Sequence, residues 1–106
     1  YVGYSLQTHS LAQHEADRAA LVARRMKAFS DPTRLTMLAY LSQLPVTVSD
    51  LAAILHVAQP TVSEHLRLLK DAGLVTATRD KNRLYYRTDG EAVQALLTLV
   101  GELTVR

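Results

Sequence analysis

The residues best suited to chemistry sit in one stretch, QPTVSEHLRLLKDAGLV, from Gln59 to Val75. It opens on short hydrogen-bonding side chains, Gln59, Thr61 and Ser63, and continues through Glu64, His65 and Arg67. Such amides and hydroxyls pair with the edges of nucleic-acid bases, and an arginine fork pairs with a guanine edge or a phosphate. A second group, Arg79, Lys81 and Arg83, follows within a few residues and has the character of a phosphate contact. Catalysis is poorly served. Ser63 and His65 are two apart and do not face each other on a helix. There is no cysteine nucleophile and no glycine-rich phosphate loop, so no enzyme activity is expected.

These groups need a scaffold, and the hydropathy pattern supplies one. Residues 1–10, YVGYSLQTHS, have no steady period and read as an arm or helix lead-in. A helical period starts near Leu11 and puts Leu21, Val22, Met26 and Phe29 on one stripe. SDPTR then punctuates the chain, with Asp31 as a cap and Pro32 as a first helical residue. The second helix points Leu35, Leu38 and Leu41 inward. Thr47 and Asp50 have capping-box spacing and open a third helix that buries Leu51, Ile54 and Leu55. HVAQP breaks it. The fourth helix is the opening stretch, with Val62, Leu66 and Leu69 inward, Thr61, Glu64, Arg67 and Leu68 outward, and Gly73 ending it. After Gly73 the period falls to two, and LVTATR and RLYYRT joined by DKN read as a hairpin. EAVQALLTLVGEL is helical again. The expected fold is mainly α with a small β-hairpin: a winged helix-turn-helix in αααα-ββ-α order. Residues 1–10 form the arm, and residues 11–106 one DNA-binding and dimerisation domain.

Composition narrows the partners. The chain has 106 residues, a net charge of +2 and no cysteine, which rules out disulfides and thiolate metal sites. Six cations and two carboxylates lie between Arg67 and Arg87, a basic segment in a nearly neutral chain. No apolar run is long enough for a membrane span and no signal peptide is visible, so a cytoplasmic location is expected. The chain opens on Tyr1 rather than Met, as a fragment would. The last segment is apolar nearly all round, with Leu96, Leu97, Leu99, Val100 and Leu103, and should be buried on two sides. In so small a chain the second side is expected to be a partner copy, giving a homodimer on a pseudo-palindromic double-stranded DNA operator. A winged-helix module for protein contacts in a larger assembly is the alternative. It would not need a basic wing.

The blocks MKAFSDPTRLTMLAYL, VSDLAAIL, QPTVSEHLRLLKDAGLV and RDKNRLYYR resemble, in order, those of the ArsR/SmtB family of bacterial repressors. The resemblance implies a dimeric winged-helix repressor released from its operator by an effector, often a metal ion. It maps Gln59, Thr61, Ser63, His65 and Arg67 to the recognition helix, and Arg79, Lys81 and Arg83 to the wing. Two positions depart. Ala58 stands where the family often has a serine cap. Glu64 stands where His, Arg or Ala is common, and either accepts from a cytosine amino group or lies outside the groove. The family's cysteine site would need thiolates near Val46–Leu51, and none is there. Its last-helix site maps to Asp89, Glu91, Glu102 and Val105, a set with no histidine. His9 and His14, with Asp17, make another weak metal set. A divalent metal effector therefore has only weak candidates here, and no cofactor is called for.

Overall fold

The computed structural model describes the backbone of residues 2–105 and the side chains of residues 10–105. Helix α1 spans Val2–Met26 and passes through a single 3-10 turn, Lys27–Phe29, into α2, Pro32–Leu41. Helices α3, Val48–Leu55, and α4, Gln59–Asp71, follow. Strands β1, Val75–Asp80, and β2, Arg83–Thr88, form a hairpin, and α5, Gly90–Thr104, completes the order. The helix-turn-helix with a wing is thus present as the pattern predicts. The difference lies at the start, where α1 begins at Val2 rather than near Leu11.

Local chemistry sets the boundaries. Asp31 caps α2 by accepting from the amides of Thr33 and Arg34 at 2.7 and 3.2 Å, with Pro32 in the first turn. These bonds, the Arg34 amide first, hold the Asp31 carboxyl below its usual range. The cap is therefore fully formed above the ordinary carboxylate range, and is lost as pH falls through the lowered value. Thr47 caps α3 by accepting from the Asp50 amide at 3.2 Å. Gly73 ends α4 at φ +76°. Its N–H bonds the Lys70 carbonyl at 2.9 Å while the Leu74 N–H bonds the Leu69 carbonyl at 3.0 Å, a Schellman closure.

The core is made by Met37, Leu38 and Leu41 of α2, Leu51 and Ala52 of α3, Val62, Leu66 and Leu69 of α4, and Leu74, Val75 and Leu96. The α4 stripe is the predicted one. Two others are rotated. Leu35 is exposed, because Arg34 takes the inward place beside Met37 and Leu38, its guanidinium satisfied by the carbonyls of Ala28 and Lys27. Ile54 is also exposed, since α3 turns the small Ala52 toward the core beside Leu51. On α1, Val22 is buried and Leu21 is not.

The hairpin is tied down rather than loose. Val46, in the link between α2 and α3, exchanges both backbone hydrogen bonds with Tyr86, at 2.8 and 3.2 Å. Strand β2 thus lies between β1 and this bridge. Thr88 Oγ1 donates to the Leu38 carbonyl at 2.7 Å, and the Asp89 N–H donates to the Leu74 carbonyl at 2.9 Å.

The chain is long for its size. It measures 64 × 23 × 23 Å with a radius of gyration of 18.1 Å; a compact chain of this length has about 13 Å. Helix α1 accounts for the length. It packs on α5 by its C-terminal half and leaves Leu11 62% exposed.

Candidate nucleic-acid interface

The turn between α3 and α4 is built by His56. It sits in the left-handed region, φ 55° and ψ 42°, where its N–H and that of Val57 close on the Ala52 carbonyl. His56 is therefore a backbone cap, in a conformation uncommon outside glycine and asparagine. Helix α4 then starts from Ala58 with no side-chain cap, which leaves its entry less firmly fixed than that of α2 or α3.

Gln59, Thr61, Ser63, Glu64 and Arg67 all stand exposed on α4. His65 does not join them. It is half-buried, with Nδ1 3.3 Å from Arg34 Nη1 across to α2. Since an arginine can only donate, Nδ1 is the acceptor in this pair. Leu68, expected outward, is half-buried against the end of α1. The readable ridge is thus narrower than the sequence implies and is made of hydroxyls, an amide and one charged group.

That charged group is a network. Arg67 donates from Nε and Nη2 to the two carboxylate oxygens of Glu64, at 3.0 and 2.6 Å, and from Nη1 to Asp71 at 2.9 Å. The first contact holds the Glu64 carboxyl below its usual range and raises Arg67 further, which favours the charged forms of this pair. The network is exposed, so it adds little stability, but it orients the fork. Three of the guanidinium's five N–H groups are used. The two left lie one on each terminal nitrogen and remain available as donors. Glu64, expected either to accept from a cytosine amino group or to lie outside the groove, holds Arg67 in this structure. The spacing, i,i+3 and i,i+4, carried that signal in the sequence.

The wing residues diverge. Arg79 pairs in register with Leu84 and Asp80 with Arg83, so Arg79 and Arg83 lie on opposite faces. Lys81 occupies the two-residue loop at φ 57°, the sign hairpin loops prefer. Arg83 and Gln59 line one shallow cleft of about 380 Å³ with Thr47, Ser49 and Asp50 at the start of α3. The wing and the recognition helix therefore meet at a common opening, whose polar lining is a guanidinium, an amide, two hydroxyls and the Asp50 carboxylate.

Sequence reasoning missed two arginines. Arg34 joins the 3-10 turn to α4, and Arg25 of α1 donates from Nε to the Ala72 carbonyl at 3.2 Å, steadying the C-terminal end of α4. Their partners lie 31 and 47 residues away, so no local pattern could reveal them.

The metal candidates do not converge. Asp89 caps α5 by accepting from the Ala92 amide at 3.1 Å, Glu91 is exposed in its first turn, and Glu102 lies 3.8 Å from Arg18 of α1. Asp17 accepts from Gln13 at 3.1 Å, and His14 is exposed. The side chain of His9 lies outside the described residues. Among the described residues of one chain, no three His, Cys, Asp or Glu side chains gather. Of the apolar residues expected at a dimer face, Leu97 is exposed; Leu99, Val100 and Leu103 are half-buried; and Leu96 is wholly inside the protomer's own core. No helix among the described residues is long and apolar enough to cross a membrane.

Comparison with known proteins agrees with this architecture. Residues 31–77, from the α2 cap through the first residues of the wing, match the family described as bacterial regulatory protein, arsR family. The chain is 38% identical over 88 residues to the HTH-type transcriptional regulator YgaV of Escherichia coli, covering 82% of this chain and 88% of that protein. It is 37% identical over 70 residues to a biofilm growth-associated repressor of Agrobacterium fabrum, covering 66% of this chain but only 60% of the repressor. Among solved structures, the homodimeric winged helix-turn-helix DNA-binding domain Mb0332 of Mycobacterium bovis is 32% identical. It superposes with a TM-score of 0.69 over 87% of this chain and 88% of that one.

Proposed function

The chain belongs to the ArsR family of bacterial regulatory proteins, and from that premise we propose that it is a homodimeric, sequence-specific DNA-binding repressor of the cytoplasm, with no catalytic activity of its own. One observation carries the reading: Gln59, which opens the exposed ridge Gln59–Thr61–Ser63–Arg67, and the wing's Arg83 line the same opening. A helix inserted in the major groove by its N-terminal half reads bases, and a wing beside it meets the flanking phosphates. The reading assigns base contacts to Gln59, Thr61, Ser63 and Arg67, with Glu64 positioning Arg67 and His65 positioning α4 through Arg34. Phosphate contacts go to Lys81, Arg83 and Arg79. Residues 11–106 then act as one reading and dimerisation domain, with residues 2–10 forming the start of α1.

The test is fluorescence anisotropy with the DNA upstream of the protein's own gene, titrated at several salt concentrations. Tight, salt-sensitive, sequence-selective binding is expected. Lys81→Ala and Arg83→Ala should each weaken all duplexes alike and lower the slope of log K against log salt by about 1. A loss confined to the operator would assign base or groove-shape reading to the wing instead. Selective binding of no duplex at any salt would sink the proposal and favour a protein-contact module.

The dimer rests on the exposed apolar surface of the α1–α5 layer. Leu97 is 45% exposed. Between the two helices, Ala16, Ala19, Val22, Val100 and Leu103 line a groove of about 510 Å³. Apolar surface of this extent is rarely left uncovered on a monomer. Leu97→Glu should shift the sedimentation coefficient from dimer to monomer at micromolar protein while leaving the helical circular dichroism unchanged. A dimer that survives this change is built on another face.

A further inference from the structure

A half-open cavity of about 690 Å³ lies between the end of α1, the 3-10 turn, the start of α2 and the C-terminal end of α4. That volume is in the usual range for small-molecule sites, roughly 300–1,000 Å³. Its floor is apolar, with Leu21 and Leu68 its largest side chains. Its walls carry four cations, Arg24, Arg25, Lys27 and Arg34, against one carboxylate, Asp71.

The charges around it are unbalanced. The Asp71 carboxylate is committed to Arg67 at 2.9 Å. Arg25 and Arg34 are fixed in place by backbone carbonyls at 3.2 and 3.0 Å, which orient them but do not neutralise them. Among the described residues, the ion pairs with carboxylates are formed by Arg18 and Arg67, and none by these four. Four like charges around a low-dielectric floor repel one another and concentrate a positive potential in the cavity. An anion relieves the repulsion, and the apolar floor selects one that carries a hydrocarbon body.

We propose that this cavity binds a small organic anion, a carboxylate or sulfonate on an apolar body, and that this ligand regulates DNA binding. The regulatory half rests on the DNA-binding reading above; the binding half does not. The route is short. Leu68, Asp71 and Ala72 of the cavity belong to α4 or its C-terminal cap, and Arg25 holds the carbonyl of Ala72. An anion paired with Arg25 competes with that carbonyl and sets a second negative charge beside Asp71, the partner of Arg67. Both effects act on the end of the recognition helix and on the orientation of its arginine.

The probe is 8-anilinonaphthalene-1-sulfonate, read by fluorescence on the full chain, with uncharged N-phenyl-1-naphthylamine as control. The double variant Arg24→Ala/Lys27→Ala removes two exposed cations that hold no hydrogen bond among the described residues, and its thermal melt checks that the fold is kept. The sulfonate is expected to bind at least five-fold more weakly to this variant, with the neutral dye unchanged. Octanoate should displace the sulfonate, inorganic phosphate at the same concentration should not, and octanoate should release the protein from operator DNA. Equal sulfonate binding by both proteins overturns the site, because the dye then sits on another apolar face. Displacement by phosphate as effective as that by octanoate overturns the ligand class. Displacement by a random duplex, with weaker DNA binding by the variant, makes the cations a phosphate contact and overturns the proposal. Octanoate that binds but leaves operator affinity unchanged overturns the regulatory half alone. A chain that binds the dye as expected but no operator would refute the DNA-binding reading and leave the site standing.

Discussion

Leu66→Ala should destabilise the chain by about 2–5 kcal/mol. Leu66 is 2% exposed at the centre of α4, between Val62 and Leu69, which have no exposed surface. Truncation removes three heavy atoms from the place where α4 meets the rest of the core, and neighbours held by helix ends on both sides can only partly close the gap. Domains of this size are stable by about 5–15 kcal/mol, so the loss is a large share of the total. DNA binding falls with it, since α4 is both a wall of the core and the reading element. Urea denaturation followed by circular dichroism, at fixed protein concentration, measures the change. Ser63→Ala, one turn away and exposed, should stay within about 0.5 kcal/mol of the parent. A cost for Leu66→Ala no larger than that of Ser63→Ala would mean that α4 is not packed as described.

Arg67→Ala carries the second large effect. Operator affinity should fall roughly 5- to 150-fold, the usual loss for an arginine on a guanine edge. Two effects compete at this residue. Glu64 and Asp71 hold the guanidinium, and DNA must take it with those partners or away from them. The ion pairs are exposed and weak, whereas a paired contact to a base inside the groove is stronger, so DNA wins. It need not break the Glu64 pair, because one N–H on each terminal nitrogen is left to donate while Glu64 fills the side edge. Arg67→Lys should therefore fail to restore binding, since an ammonium cannot fill both edges. Glu64→Gln should raise affinity for random duplex, by removing a carboxylate from a surface that faces phosphates, and so narrow the gap between operator and random DNA. Unchanged operator binding by Arg67→Ala would leave the residue as a surface staple of α4.

How much of this was legible depends on whether the information was local. The caps at Asp31 and Thr47, the stop at Gly73 and the stripe Val62–Leu66–Leu69 all depend on residues within a turn or two of each other, and the sequence shows them. The wing was legible from its change of period. Leu35 and Ile54 were misread because which apolar side chain faces inward on α2 and α3 is decided by what lies opposite. Arg34 could face inward only because distant carbonyls and His65 receive it. The family resemblance places His65 among recognition-helix positions, but its partner is 31 residues upstream. Glu64 is the reverse case, since its pairing with Arg67 follows from local i,i+3 spacing. Leu96 could not be told from its dimer-facing neighbours, since a helix apolar all round does not say which side meets its own core.

The bridge between Val46 and Tyr86 has a consequence for how a duplex must be shaped. That pair, with Thr88 anchored to Leu38 and Asp89 to Leu74, joins the C-terminal half of β2 to the helical body. The base of the wing is therefore held at a set distance from the reading helix, largely by backbone hydrogen bonds. Such a head works as a calliper. When groove and gap differ, the duplex bends or narrows and the protein does not, so the cost of fit falls on the stiffness of the DNA steps between the two contacts. Selectivity then extends to base pairs that no side chain touches.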